Sequence, residues 1–360
     1  MKQIYFVMFF VFVLLASNAS ATTGISTTGD KILSPGVIML LLGDDPKDED
    51  DPGEVNEWEI MAPLPEARAF HSVVADSDGY LYAIGGTSDA QTITPTNTLF
   101  RYNTANNTWD PDPIDFLPNP LIGIDAEIIN GKIYVPGDSS TADTYVYDIT
   151  QDTWAIIPAG NGYKERVNYR TVAIGTDLYV LGGLINVDEP DESTTSEVWI
   201  LDTQTKTWSE GVPMQQDRMN FAAGAINGVL YVAGGVSMPG FNPIMSGEKL
   251  TSDEWSFFTD IPDGGGNYLW WAYMADGSTE DALWLAGGKR DISYTNTHVG
   301  FYNPAADEWT DSTFAPLPTL NQGRSYLSGA IASNGYFYAI GGFDQIDPVI
   351  FDNNERFRVK

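Results

Sequence analysis

The chain has 360 residues, 43% of them apolar, 19% charged and 12% aromatic, a mixture that supports a sizeable packed core and excludes a wholly disordered polymer. Forty-nine Asp and Glu against 18 Lys and Arg give a formal net charge of −31, which repels phosphate backbones and anionic headgroups and argues against nucleic acid as a partner. There is no cysteine, which excludes a disulfide scaffold, a thiol nucleophile and a thiolate zinc site.

Met1-Lys2, an apolar run from Ile4 to Leu15 and then Ala19-Ser20-Ala21 form the n-region, h-region and small-residue cleavage pattern of a secretory signal, so residues 1–21 are expected to be removed. The apolar run is shorter than the roughly 20 residues that a membrane-spanning helix needs. The mature chain is therefore expected to be secreted or periplasmic, with no integral membrane insertion after cleavage. Residues 22–54 read as a disordered acidic linker: Thr, Gly and Ser come first, then an apolar stretch from Val37 to Leu42, then Asp44, Asp45, Asp48, Glu49, Asp50 and Asp51. Carboxylates suit calcium, but this run lacks the Gly and terminal Glu of a recognised calcium loop. Residues 55–360 remain for one folded domain.

That domain is built from repeats. Tyr82-Ala83-Ile84-Gly85-Gly86 recurs as Tyr134 to Asp138, Tyr179 to Gly183, Tyr231 to Gly235, Trp284 to Gly288 and Tyr338 to Gly342, at intervals of 45 to 54 residues. Trp58, Trp109, Trp154, Trp208, Trp255 and Trp309 keep step, one ahead of each glycine pair. Aromatic and β-branched residues before the glycines predict a buried strand, and the glycines allow a turn or close approach that a Cβ would obstruct. Third strands are predicted at Asn97 to Tyr102, Thr144 to Tyr147, Glu197 to Leu201 and His298 to Tyr302, each followed by an Asn- or Asp-rich turn and a Trp-bearing fourth strand. Each Trp is expected to pack in the core between neighbouring blades. A period near 50 with paired glycines and a lone Trp resembles the kelch repeat, and the resemblance covers Glu57 to Lys360. It implies an all-β, six-bladed kelch-type β-propeller. The last repeat has no Trp strand and Glu57 to Ile60 has no blade of its own, so the ring is expected to close by pairing this N-terminal strand with the C-terminal strand at Arg356 to Val359.

A propeller of this kind offers ligands the mouth of its central channel. Arg68, Arg166, Arg218 and Arg324 stand at matching places just before the innermost strand, with Pro120 and Gly266 in the second and fifth repeats. Their guanidinium forks suit carboxylates, which points to an anionic ligand; the alternative is that each bonds a backbone carbonyl or an acidic side chain of its surroundings. Most innermost strands carry small residues, such as Ser72-Val73, Ala222-Ala223 and Ser328-Gly329. The third has Arg170-Thr171, and the fifth is aligned at Trp270-Trp271, between Tyr268 and Tyr273, where an indole either stacks on a sugar or plugs the channel. His71 and His298 are the only histidines, and His71 reads as structural rather than as a general base. Gly264-Gly265-Gly266 is a loop with no helix after it and hence no phosphate cradle.

Among proteins with this repeat, galactose oxidase uses a copper site that includes a Cys-linked Tyr, which a cysteine-free chain cannot form. The exported six-bladed sialic acid mutarotases resemble this chain in layout. They use a Glu just after a strand-ending glycine, where this sequence has Thr87, Ser139, Leu184, Val236, Lys289 and Phe343. The expectation is therefore an exported module that binds an anionic ligand, an acidic carbohydrate or a protein, through Arg68, Arg166, Arg170, Arg218, Arg324, Trp270 and Trp271, with no cofactor and no metal. A sugar mutarotase or epimerase-like enzyme and a protein–protein interaction scaffold are the alternatives.

Overall fold

The structure is a computed structural model, and it describes residues 57–262, 274–289, 295–312 and 317–359. The signal-like segment, the whole linker, the Gly264-Gly265-Gly266 run, Tyr268, Trp270, Trp271 and Tyr273 lie outside the described residues. Val55–Lys360 forms one compact unit. Every regular element among the described residues is a β-strand, and every pairing is antiparallel, an arrangement that fits a β-propeller.

Six of the sheets have four or more strands among the described residues. The first runs Ser72–Ala75, Tyr80–Ile84, Thr96–Asn103 and Thr108–Trp109, and Asp115–Leu121 also pairs with Thr96–Asn103. The same meander recurs from Glu127–Ile129 to Thr153–Ile157, from Arg170–Ile174 to Thr207–Glu210, from Ala222–Ile226 to Glu254–Phe258 and from Ala275–Ser278 to Glu308–Asp311. The sixth sheet holds Ser328–Ile331, Tyr336–Ile340 and Asn354–Arg358, and its outer place is taken by Glu59–Ile60. Glu59 lies opposite Arg356 and Ile60 opposite Glu355, with a 2.7 Å ion pair between Glu59 and Arg356. First strands lie against the first strands of other sheets: Ser72–Ala75 against those of the second and sixth, and the third against those of the second and fourth. The fifth lies against those of the fourth and sixth.

Local chemistry explains the repetition. Asn103, Asp148, Asp202 and Asn303 end third strands, and each side chain accepts two backbone N–H groups from the residues two and three ahead. Asn107, Asp152, Lys206 and Asp307 then take positive φ, and Tyr102, Tyr147 and Tyr302 donate their hydroxyls to Asn107, Asp152 and Asp307. The Trp that follows ties neighbouring sheets together. The indoles of Trp58, Trp109, Trp255 and Trp309 donate to the carbonyls of Pro318, Ala62, Val212 and Thr259, each on the segment that leaves the preceding sheet.

Because the strands are antiparallel, the start of a first strand, the end of the second and the start of the third share one end of each sheet. Among the described residues this upper end carries three hairpins: Leu184–Ile185 with Ser193–Thr194, which Arg166–Val167 joins as a third strand, Val236–Ser237 with Asn242–Pro243, and Phe343–Asp344 with Val349–Ile350.

Candidate functional site

Arg68, Arg166, Arg218 and Arg324 are placed at this upper end, and each is at most 1% exposed. Most of their donors are engaged inside the protein, and Arg68 Nη1 and Arg218 Nε are buried with no acceptor among the described residues. Arg166 donates to the Gly182 carbonyl at 3.1 Å and to Glu197 at 2.9 Å. Arg218 reaches the Gly234 carbonyl at 2.7 Å and Glu248 at 2.6 Å. Arg324 donates to the carbonyls of Gly341 and Ala339 and to Glu355. Arg68 pairs with Glu66 at 2.9 Å and donates to Thr98 at 2.7 Å. Burial pulls the pKa values of Arg68, Arg218 and Arg324 down, and the adjacent carboxylates oppose that pull.

The glycine pair completes the unit. The N–H groups of Gly183, Gly288 and Gly342 donate to the backbone carbonyls of Arg218, Arg324 and Arg68 in the following sheet. A Cβ built on Gly182 or Gly341 would lie 2.5 or 2.3 Å from those Arg218 and Arg68 carbonyls, so only glycine permits the approach. The arginine therefore sits at a seam: its main chain receives the neighbouring sheet, while its side chain holds its own. In the second sheet the matching carbonyl acceptor is that of Leu121, which accepts from Gly86, rather than that of Pro120.

The innermost strands correct one alignment. Ala275 pairs with Ala286, just as Ser72 pairs with Ile84 and Arg170 with Leu181. The fifth strand therefore presents Ala275-Asp276, not Trp270-Trp271, where the others present Ser72-Val73 or Ala222-Ala223. Counting back four residues, as from Ser72 to Arg68, gives Trp271 in place of Gly266.

Arg170 reaches from the third sheet to residues of the second, fourth and fifth. Its Nε donates to the Phe221 carbonyl at 2.6 Å and an Nη to the Met274 carbonyl at 2.9 Å. The guanidinium lies 3.1 Å from Asp276 and 3.8 Å from Asp125. Each carboxylate also clamps a neighbouring sheet: Asp125 accepts from the Thr171 N–H and Asp276 from the Ala223 N–H, both at 2.8 Å. Glu127, two residues along from Asp125, lines the same cavity. Burial, reinforced by Asp125 and Asp276, pushes its pKa up to about 8; burial raises Asp276 to about 6 against the pull of Arg170. Sequence reasoning missed this carboxylate group because acidic residues are everywhere in the chain. A cavity of about 280 Å³ between the first strands is lined by Asp125, Glu127, Thr171, Asp276 and Ser328, among others.

Above Arg170 the described residues pack closely. Phe70, Asn168, Asn220 and Tyr326, each two residues before a first strand, and Gly123, four before, all take positive φ. Their backbones bond in series, with Phe70 donating to Tyr326, Gly123 to Phe70, Asn168 to Gly123 and Asn220 to Asn168. The rings of Phe70 and Tyr326 are 4.0 Å apart. Val187, Met238 and Tyr326 pack on an apolar cluster of Val167, Leu184, Met219 and Val236. A void of about 40 Å³ remains at this level, enough for a few waters. His71 lies beside it, 4% exposed, and burial with the nearby Arg68 charge holds its pKa down at about 3, so the imidazole is neutral. His298 shares a hydrogen bond with Asn296 through its ring. No cluster of three or more His, Asp or Glu able to hold a metal occurs among the described residues, and no helix there is long and apolar enough to cross a membrane.

Comparison with known proteins follows the repeats. The Kelch motif matches residues 67–113 and 165–215. The chain is 26% identical over 274 residues to the Kelch-like protein terF of Aspergillus terreus, covering 71% of this chain and 58% of that protein. It is 26% identical over 264 residues to an N-(sulfonatooxy)prop-2-enimidothioate sulfolyase of Thlaspi arvense, covering 64% and 73%. Beta-scruin of Limulus polyphemus is 23% identical over 299 residues, covering 77% of this chain and 31% of beta-scruin. The chain thus spans little more than half of the first of these relatives and about a third of the last.

Proposed function

Because this chain belongs to the kelch-repeat family, we propose that it folds as a six-bladed β-propeller and works as a protein–protein interaction scaffold, with partners bound on the upper face. Six sheets whose first strands neighbour one another support the blade number, and the pairing of Glu59–Ile60 with Asn354–Arg358 supports a closed ring. Export is part of the proposal and rests on the signal-like pattern of residues 1–21.

One observation carries the functional choice: the described residues at the channel mouth leave only a small void between their own side chains. A void of about 40 Å³ is far smaller than the 300–1,000 Å³ typical of small-ligand pockets, which argues against a sugar ring seated there. The four buried arginines already have acceptors, and the Arg170 guanidinium has two carbonyls and two carboxylates around it. What the upper end does offer is a broad outer surface bearing three projecting hairpins, a shape suited to macromolecular contact. A thermal-shift series with sialic acid, uronic acids and neutral sugars tests the choice. No sugar should raise the melting temperature; a rise with an acidic sugar that disappears in Arg170→Leu would overturn the reading in favour of a channel ligand.

A further inference from the structure

The geometry points to a specific chemistry for the partner: a basic protein segment with an apolar anchor, docked on the tips of the three upper hairpins. This deepens the interaction reading above and rests on it. The hairpins follow second strands that all end at the same end of their sheets, so they project together. Two of them are also joined directly, because the Met238 N–H of the fourth-sheet hairpin donates to Thr194 Oγ1 of the third-sheet hairpin at 3.0 Å.

Their tips carry apolar side chains that the fold does not bury. Phe241 is 46% exposed, Ile346 56% and Val349 47%, each on or beside a hairpin. Polar residues there would cost the fold nothing, whereas exposed large apolar groups gathered on one face mark contact surfaces. The hairpin segments themselves carry charge of one sign, and the Lys289 ammonium that donates to Gln345 of the sixth-sheet hairpin is buried. The third-sheet hairpin contains Asp188, Glu189, Asp191 and Glu192, and the sixth-sheet hairpin contains Asp344 and Asp347; residues 184–194, 236–243 and 343–350 contain no Lys or Arg. Asp188, Glu189, Asp191 and Asp347 are exposed, while the nearby Arg68, Arg166, Arg218 and Arg324 are buried and paired. Potential complementarity therefore selects a cationic partner, and the overall charge of −31 repels an acidic one and a second copy of this chain alike.

A random-peptide display selection on the immobilised full chain tests this, with Phe241→Ser/Ile346→Ser as the counter-selected surface. Both positions are exposed, so the variant should melt at the wild-type temperature. The expected peptides are rich in Lys and Arg around a Leu, Phe or Trp. They should bind the variant about tenfold more weakly or worse, and bind wild type more weakly as salt is raised. Charge reversal by Asp188→Lys/Asp191→Lys should weaken the same peptides. Enrichment of acidic or uncharged peptides would overturn the partner chemistry while leaving the scaffold reading standing. Failure of any peptide to discriminate wild type from the variant would overturn the hairpin tips as the docking site. No enrichment over the bare support would overturn the scaffold reading as well.

Discussion

The third, fourth and sixth sheets differ from the second and fifth in where they keep their charge. Arg166, Arg218 and Arg324 are locked at the upper seam against Glu197, Glu248 and Glu355. The second sheet has Leu121 at the seam and instead sends Asp125 into the channel, and the fifth sends Asp276 there; both meet Arg170 from the third. Neighbouring sheets are thus held in two ways, by an arginine–glycine seam at the upper end or by a carboxylate reaching across the first strands. The difference teaches that a recurring arginine here serves the fold, and that the exception, Arg170, belongs to a separate network.

The comparison can be broken most forcefully at the seam. Arg218→Ala leaves Glu248 buried without its cation and should lower unfolding stability by about 3–5 kcal/mol in urea titration. A smaller loss is expected in the channel. Arg170→Leu removes two carbonyl hydrogen bonds and the cation between Asp125 and Asp276, so a loss of about 2–3 kcal/mol at pH 8 is expected. Protonation of Asp276, whose pKa is raised to about 6, relieves part of that repulsion. The Arg170→Leu deficit should therefore shrink as pH falls to 5.

Glu127 gives the gentlest test. Its folded pKa of about 8 lies above the ordinary carboxylate value of the unfolded chain. The folded state therefore holds a proton that the unfolded state has lost, and stability falls as pH rises from about 4.5 through 8. Glu127→Gln should flatten that slope, read as the difference in melting temperature between pH 5.5 and pH 8.5. An unchanged slope would remove Glu127 from the network.

Much of this was legible in the sequence because glycine pairs, turn residues and Trp recur with the period of the strands themselves. The fifth innermost strand was not. Ala275-Asp276-Gly277-Ser278 has the composition of a turn, while Trp270-Trp271 looks like a strand, so propensity favoured the wrong register until pairing with Ala286 fixed it. The arginines were found, but one sequence gives no burial. Their partners still left a trace: Arg166 to Glu197, Arg218 to Glu248 and Arg324 to Glu355 span 31, 30 and 31 residues, and Arg68 meets Thr98 at 30. A fixed spacing from arginine to acid across repeats is the mark of an internal pair.

The central claim is that these arginines hold sheets rather than ligands, and a double-mutant cycle on Arg218 and Glu248 tests it most directly. Urea unfolding of Arg218→Ala, Glu248→Ala and the double variant should give a coupling of about 2 kcal/mol or more, with the double variant no less stable than Arg218→Ala. Additive losses, or an Arg218→Ala protein as stable as wild type, would contradict the account.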